Sequence, residues 1–238
     1  MISNNIILSI SNLSKKFGDF QVLYNINFEI IEGEILGLIG PNGSGKTTLL
    51  ECLTYLLPID SGTVYHKNEI LNKNKIKEFM FYLPDSIKPY KDQRVLGVLD
   101  FFKSIYGRKK DDLNRLVDIL FLGPVLNKKI YALSKGYLKR FLIAVALLTY
   151  QPVLLLDEPF DGLDFKQVQS VMSILKETSM QGRTLLLAIH QLSDAEGICD
   201  RFLLLDSGKI ISIGKMEDLR GQANLNKGNL KEIFLAFM

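Results

Sequence analysis

The chain has 238 residues, 47% apolar and 23% charged, a composition that supports a packed core and argues against disorder. Its 29 basic and 26 acidic side chains leave a net +3, too weak a field to gather nucleic acid. The longest unbroken apolar run is the eight residues Phe141 to Leu148, far short of the about 20 that span a bilayer, so no membrane span is expected. The opening MISNN lacks the basic-then-apolar pattern of a signal peptide. Cys52 and Cys199 offer no disulfide framework or metal spacing and read as small core residues in a reducing compartment.

In chain order, residues 6–10, 21–31, 34–39 and 62–65 are rich in Ile, Val, Phe and Tyr and are predicted strands. Helical patterns dominate from 94 to 148. Compact apolar runs at 153–156, 184–189 and 202–205 then read as buried parallel strands, with helices at 167–180 and 192–198 between them. The tail offers short helices at 214–220 and 230–238. The sum is an α/β core with a helical insert in its middle.

The strand at 34–39 runs into Gly40-Pro41-Asn42-Gly43-Ser44-Gly45-Lys46-Thr47, followed by Thr48. This fits the phosphate-binding pattern G-x-x-x-x-G-K-[ST]. Glycines let successive backbone N–H groups turn inward as an anion nest. The helix that follows, expected over 46–57 with Leu49, Leu50, Leu53, Leu56 and Leu57 in the core, adds its positive dipole end. Lys46 can bridge the β- and γ-phosphates and the Thr47 hydroxyl can bind Mg²⁺. A second apolar strand ends in Asp157-Glu158. Paired acids there are costly unless a cation or a reaction uses them. Asp157 suits the Mg²⁺ shell, and Glu158 suits the polarisation of an attacking water.

Twenty-three residues before Asp157 (157 − 134) stands Leu133-Ser134-Lys135-Gly136-Tyr137. With this third motif the chain resembles the ATP-binding cassette family over nearly its whole length, the family's LSGGQ reading LSKGY here. Ser134 can cap the helix that follows, and its free N–H groups can hold a γ-phosphate. The resemblance implies a P-loop NTPase (RecA-like) core with an antiparallel β subdomain and a helical subdomain. It implies one ATPase domain, with residues 1–87 and 151–238 as the core and 88–150 as the helical part. It further implies that Ser134 and Gly136 act on ATP held by a second cassette, that Phe17 stacks on adenine, that 160–164 (FDGLD) is the loop linking two sites, and that His190 contacts the γ-phosphate.

Two departures stand out. Lys135 replaces the signature's first glycine and Tyr137 its glutamine. Asp85, in Tyr82-Leu83-Pro84-Asp85, stands where the family has Gln, and is expected to help hold Mg²⁺. Both favour an exporter type. The implied partners are a polytopic membrane subunit and a second cassette, with no nucleic acid, on the inner face of the cell membrane. An importer subunit and a soluble cassette acting on ribosomes or DNA remain the alternatives. The stretch 88–106, with Tyr90, Leu96, Leu99, Phe101, Phe102, Ile105 and Tyr106, is mostly insert core. Phe102 or Tyr106 is the expected contact with the membrane partner.

Overall fold

The computed structural model describes residues 5–87, 89 and 91–237. Tyr90 and Met238, and the expectations placed on them, lie outside these. In chain order the elements are β1 (Ile6–Phe17), β2 (Phe20–Ile31), β3 (Ile35–Ile39), α1 (Lys46–Leu53), β4 (Ser61–His66), β5 (Glu69–Ile70), α2 (Lys73–Phe79) and β6 (Met80–Leu83). The insert then contributes α3 (Val95–Ile105), α4 (Lys110–Ile119) and α5 (Lys135–Leu148). The remainder is β7 (Val153–Asp157), α6 (Phe165–Met180), β8 (Thr184–Ile189), α7 (Leu192–Ile198), β9 (Arg201–Asp206), β10 (Lys209–Gly214), α8 (Met216–Gln222) and α9 (Leu230–Ala236).

Two sheets result. One is antiparallel, in the order β2-β1-β4-β5; the other runs β10-β9-β3-β8-β7-β6. In the second sheet the strands from β9 to β6 are parallel and β10 folds back antiparallel onto β9. The fold is therefore the expected α/β arrangement, with an antiparallel sheet beside the parallel one and helices inserted between β6 and β7.

The parallel strands are buried on both faces, which explains their unbroken Leu, Ile and Val runs. Alternation still sorts their side chains. Ile35, Ile39, Leu154, Leu156, Leu185 and Leu187 meet the apolar faces of α5, α6 and α7. Leu36, Leu38, Val153, Leu155, Leu186 and Ala188 meet Leu49, Leu50, Cys52 and Leu53 of α1 and the inner face of β1 and β2. In a parallel sheet the strand ends share one edge. The loops after β3, β6, β7 and β8 thus lie side by side.

Several boundaries differ from expectation. The first strand continues to Phe17 because β1 pairs with β2 along its whole length through bulges. The helix after the phosphate loop stops at Leu53, not at 57. Tyr55 takes a left-handed φ of 54°, and Pro58 follows three residues after it, where a helix could not continue. Leu56 is consequently exposed, while Leu49, Leu50 and Leu53 are buried as expected. Strands β5, β6 and β10 and helix α2 carry too little periodic signal to be read from sequence. Cys52 is buried and Cys199 partly so, both as free thiols held well above their usual titration range by burial.

In the insert, Val95 and Leu99 of α3 pack on Leu113 and Leu116 of α4 and on Phe141 of α5. Phe102 is partly buried against that core, and the Tyr106 ring meets Tyr150 edge-on at 5.4 Å. The most exposed apolar residues of α3 are Phe101 and Ile105, each 59% accessible. Among the described residues no helix is long and apolar enough to cross a membrane.

Candidate functional site

The phosphate loop leaves β3 at Gly40. A Cβ at Gly40 would lie 2.1 Å from the Leu205 carbonyl oxygen, so only glycine lets the loop pass the end of β9. Gly43 and Gly45 adopt φ of 81° and 104°, the left-handed turns that tip backbone N–H groups inward. Gly45 caps α1 without any side-chain acceptor, leaving first-turn N–H donors for a ligand. Ser44 Oγ is buried with no hydrogen-bond partner. A phosphate oxygen would satisfy it, and buried hydroxyls are seldom left unpaired.

Lys46 is buried, and its Nζ donates to the carbonyl oxygens of Gly40 at 2.8 Å and Pro41 at 3.1 Å. Burial pulls its pKa below the usual lysine range, against the opposing pull of Glu158 and Asp157. Thr47 Oγ1 donates to Asp157 Oδ2 at 2.8 Å, joining the loop to the end of β7. Burial raises the Asp157 carboxyl above its usual range, partly offset by the Thr47 hydrogen bond. The Tyr82 hydroxyl donates to the same oxygen at 3.4 Å, and burial pushes that phenol's pKa up, so it stays a donor.

Glu158 follows Asp157 but turns away from the strand with φ of 49°, a costly backbone for a residue with a side chain. Its N–H donates to the Ala188 carbonyl at 3.0 Å. His190 Nδ1 lies 2.5 Å from Glu158 Oε2, and the His190 N–H donates to the same oxygen at 3.3 Å. The three strand ends therefore deliver Thr47, Asp157, Glu158 and His190 to one place.

A cavity of about 410 Å³ opens there. Of the residues expected from sequence, Asn42, Gly43, Gly45, Lys46, Thr47, Thr48, Asp85, Asp157 and Glu158 line it. Glu51 lines it too, a residue that sequence reading missed; burial and the charge of Asp157 raise its carboxyl. A hydroxyl and a carboxylate as hard oxygen donors, beside a phosphate nest, suit Mg²⁺ bridged to a nucleotide.

Seven expected residues lie off this wall: Gly40, Pro41 and Ser44 of the loop itself, and His190, Ser134, Gly136 and Phe17. His190 reaches the cavity only through Glu158. Ser134 caps α5, accepting from the Tyr137 N–H at 3.4 Å, and Gly136 sits two residues on, against the Gly162 carbonyl. Phe17, at the end of β1, is half-exposed with the Lys15 ammonium 5.3 Å from its ring centre. Asp85 does line the cavity, but its Oδ1 accepts from Lys139 Nζ at 2.7 Å. In this state its charge belongs to an ion pair with α5, and Lys139 is a partner that no local sequence pattern announces.

A second cleft of about 280 Å³, between α4, α5 and α6, is lined by Arg108, Arg115 and Arg183. Arg108 and Arg183 bond the carbonyls that close α5 and the Thr149 hydroxyl. Arg115 pairs with Glu177. These guanidiniums complement a helix C-terminus and hold the insert to the core.

The profile of the ABC transporter family matches residues 23–161. An uncharacterised ABC transporter ATP-binding protein of Methanocaldococcus jannaschii is 37% identical over 89% of this chain and 79% of its own length. A probable sulfate/thiosulfate import ATP-binding protein of Chlorella vulgaris is 35% identical over 88% of this chain and 92% of its own. A solved ATP-binding subunit of an ABC transporter superposes with a TM-score of 0.88 at 26% identity, covering 97% of this chain and 99% of that one. With the phosphate loop, the LSKGY helix and the paired acids following one another in that chain order, the chain belongs to the ABC transporter family as an ATP-binding cassette.

Proposed function

We propose that this cassette hydrolyses ATP with Mg²⁺ to drive export through a separate polytopic membrane subunit, working as one of two cassettes on the inner face of the membrane. Cassettes of this family are ATPases. The observation that carries the reading for this chain is the Thr47–Asp157 contact at 2.8 Å beside the Glu158–His190 contact at 2.5 Å.

In this reading the loop N–H groups and Ser44 cradle the phosphates, and Lys46 leaves the Gly40 and Pro41 carbonyls to meet the β- and γ-oxygens. Thr47 and Asp157 would hold Mg²⁺, which would supply neutralisation of phosphate charge when bound. Glu158 accepts the proton of the attacking water as a general base. His190 fixes the Glu158 carboxylate through Nδ1 and turns its other nitrogen to the γ-phosphate. Ser134 and Gly136 serve ATP held by the second cassette, which fits their place off this chain's cavity wall. Phe17, half-exposed at the end of β1, supplies the face on which adenine stacks. Asp85, whose Oδ1 pairs with Lys139, would have its second oxygen to offer the Mg²⁺ shell.

Export is supported by the departures at Lys135 and Asp85. Import is the second reading, favoured by the algal relative, whose printed name is that of an importer. Co-purification of the tagged chain from gently solubilised native membranes tests the transport reading. Recovery of a stoichiometric polytopic subunit is expected. Recovery with ribosomes or nucleic acid alone overturns it. Substrate movement measured in inside-out vesicles holding that complex then assigns the direction.

A further inference from the structure

Lys135 fills the first glycine position of the signature, where no side chain is usual, and it reaches back to its own chain. Its Nζ lies 2.6 Å from Asp161 Oδ2. The bond holds the Lys135 ammonium above its usual pKa and the Asp161 carboxyl below its own. The stem of Lys135 lies over Gly162, where a Cβ would meet Lys135 Cδ at 2.8 Å and Cε at 3.1 Å. Gly162 has φ of 77°. Gly136 closes the same contact, a Cβ there meeting the Gly162 carbonyl oxygen at 3.2 Å.

Asp161 and Gly162 belong to the turn that carries Glu158. The Asp161 N–H donates to the Glu158 carbonyl at 3.3 Å, and the Leu163 N–H to the Phe160 carbonyl at 3.2 Å. Glu158 sits in that turn at φ of 49°. A residue with a Cβ stays there only when its surroundings over-determine the backbone. Three bonds do so at Glu158 itself: its N–H to Ala188, its carbonyl from Asp161, and its carboxylate to His190. Phe160 is buried in the core, Leu163 packs against it and Asp164 caps α6; between these anchors the Asp161 carboxylate is held by Lys135, from another element of the fold.

We propose that Lys135 is a positioning residue for Glu158, clasping the 158–163 turn so that the carboxylate stays aligned with His190. The proposal rests on the reading of Glu158 as the water-activating group. The pair is largely exposed, with side-chain accessibilities of 66% and 35%, so it adds little to global stability. Its effect is on geometry, where displacements of about 1 Å cost rate steeply.

The test compares Lys135→Ala, Lys135→Arg and the charge reversal Lys135→Asp with Asp161→Lys, each as the full chain. Lys135→Ala is expected to lower kcat about 10-fold with KM for ATP within about twofold and Tm within about 2 °C. Lys135→Arg and the reversal are expected to recover most of the rate. Amide hydrogen exchange, read without any turnover, is expected to rise across 158–163 in Lys135→Ala and to stay unchanged in α5 and β7. Unchanged exchange in that turn overturns the proposal. So does a reversal that stays as slow as Lys135→Ala, because the lysine charge would then act on phosphate directly. If wild type and Glu158→Gln hydrolyse ATP equally, the reading of Glu158 fails, while the exchange result still judges the clasp.

Discussion

Glu158 Oε2 and His190 Nδ1 lie 2.5 Å apart at the ends of two adjacent parallel strands, β7 and β8, which pair with Asp157 opposite Ala188. A carboxylate held this way keeps its other oxygen for a water. Glu158→Gln preserves size and the His190 contact but removes the proton acceptor. ATP hydrolysis is expected to fall about 10²-fold or more, the scale of a lost general base. Nucleotide affinity by calorimetry should stay within a few-fold. His190→Ala should lower the rate as well, without releasing nucleotide. Lys46→Ala, in contrast, removes a charged donor to phosphate and should weaken ATP binding by at least about tenfold.

Asp157 is nearly fully buried and carries a raised pKa caused first by burial. The folded chain therefore holds that proton more tightly than the unfolded chain. Its contribution to stability is present below the unfolded pKa and is lost as pH rises through the raised folded value. At neutral pH the ionised carboxylate thus costs the nucleotide-free protein stability. Asp157→Asn removes that cost and keeps an acceptor for Thr47. Its Tm without nucleotide is expected to rise by about 2–4 °C at pH 7, and the gain should vanish in acid. Mg²⁺-dependent hydrolysis should be lost in the same variant. Differential scanning calorimetry across pH separates the two effects.

Local chemistry made much of this site readable in the sequence. A phosphate nest needs Gly at Gly43 and Gly45, and a buried strand ending in Asp157 and Glu158 needs a cation or a reaction. Parallel core strands announce themselves by apolar runs. What escaped was chemistry spread over long separations. Tyr82 meets Asp157 across 75 residues, and Lys139 meets Asp85 across 54. Nothing near Lys139 in sequence distinguishes it from a solvated lysine. The antiparallel strand β10 was missed because its Ile, Ser and Gly pattern is half-buried and takes its register from β9.

The Asp85–Lys139 pair sets a further expectation. Lys139 is only 6% accessible and Asp85 39%. Asp85→Ala strands a nearly buried ammonium on α5. A fully buried broken pair costs more, but the exposure of Asp85 screens this one, so the loss is about 1 kcal/mol. For a chain of this size that lowers Tm by about 2–4 °C. Asp85→Asn keeps an acceptor for Lys139 and should lose less. The Mg²⁺ concentration giving half-maximal hydrolysis separates the two uses of Asp85. A rise of several-fold in Asp85→Asn is expected if it enters the Mg²⁺ shell; an unchanged value would confine it to the ion pair.

The insert offers the last expectation. Phe102 is partly buried and Tyr106 is packed edge-on against Tyr150, so truncating either damages the insert itself. Phe101 and Ile105 are each 59% accessible on α3, one helical turn apart, and form one apolar stripe. Replacing both with Ser removes apolar area from the surface, not from the core. Tm should change by less than about 2 °C, as for exposed sites generally. If α3 contacts the membrane subunit, the double variant should lose most of its co-purification while ATP binding stays intact. Equal recovery of the subunit by wild type and variant would move the contact elsewhere on the insert. Parallel Phe102→Ala and Tyr106→Ala variants, both expected to lower Tm, show whether any loss of partner follows from a damaged fold or from a missing contact.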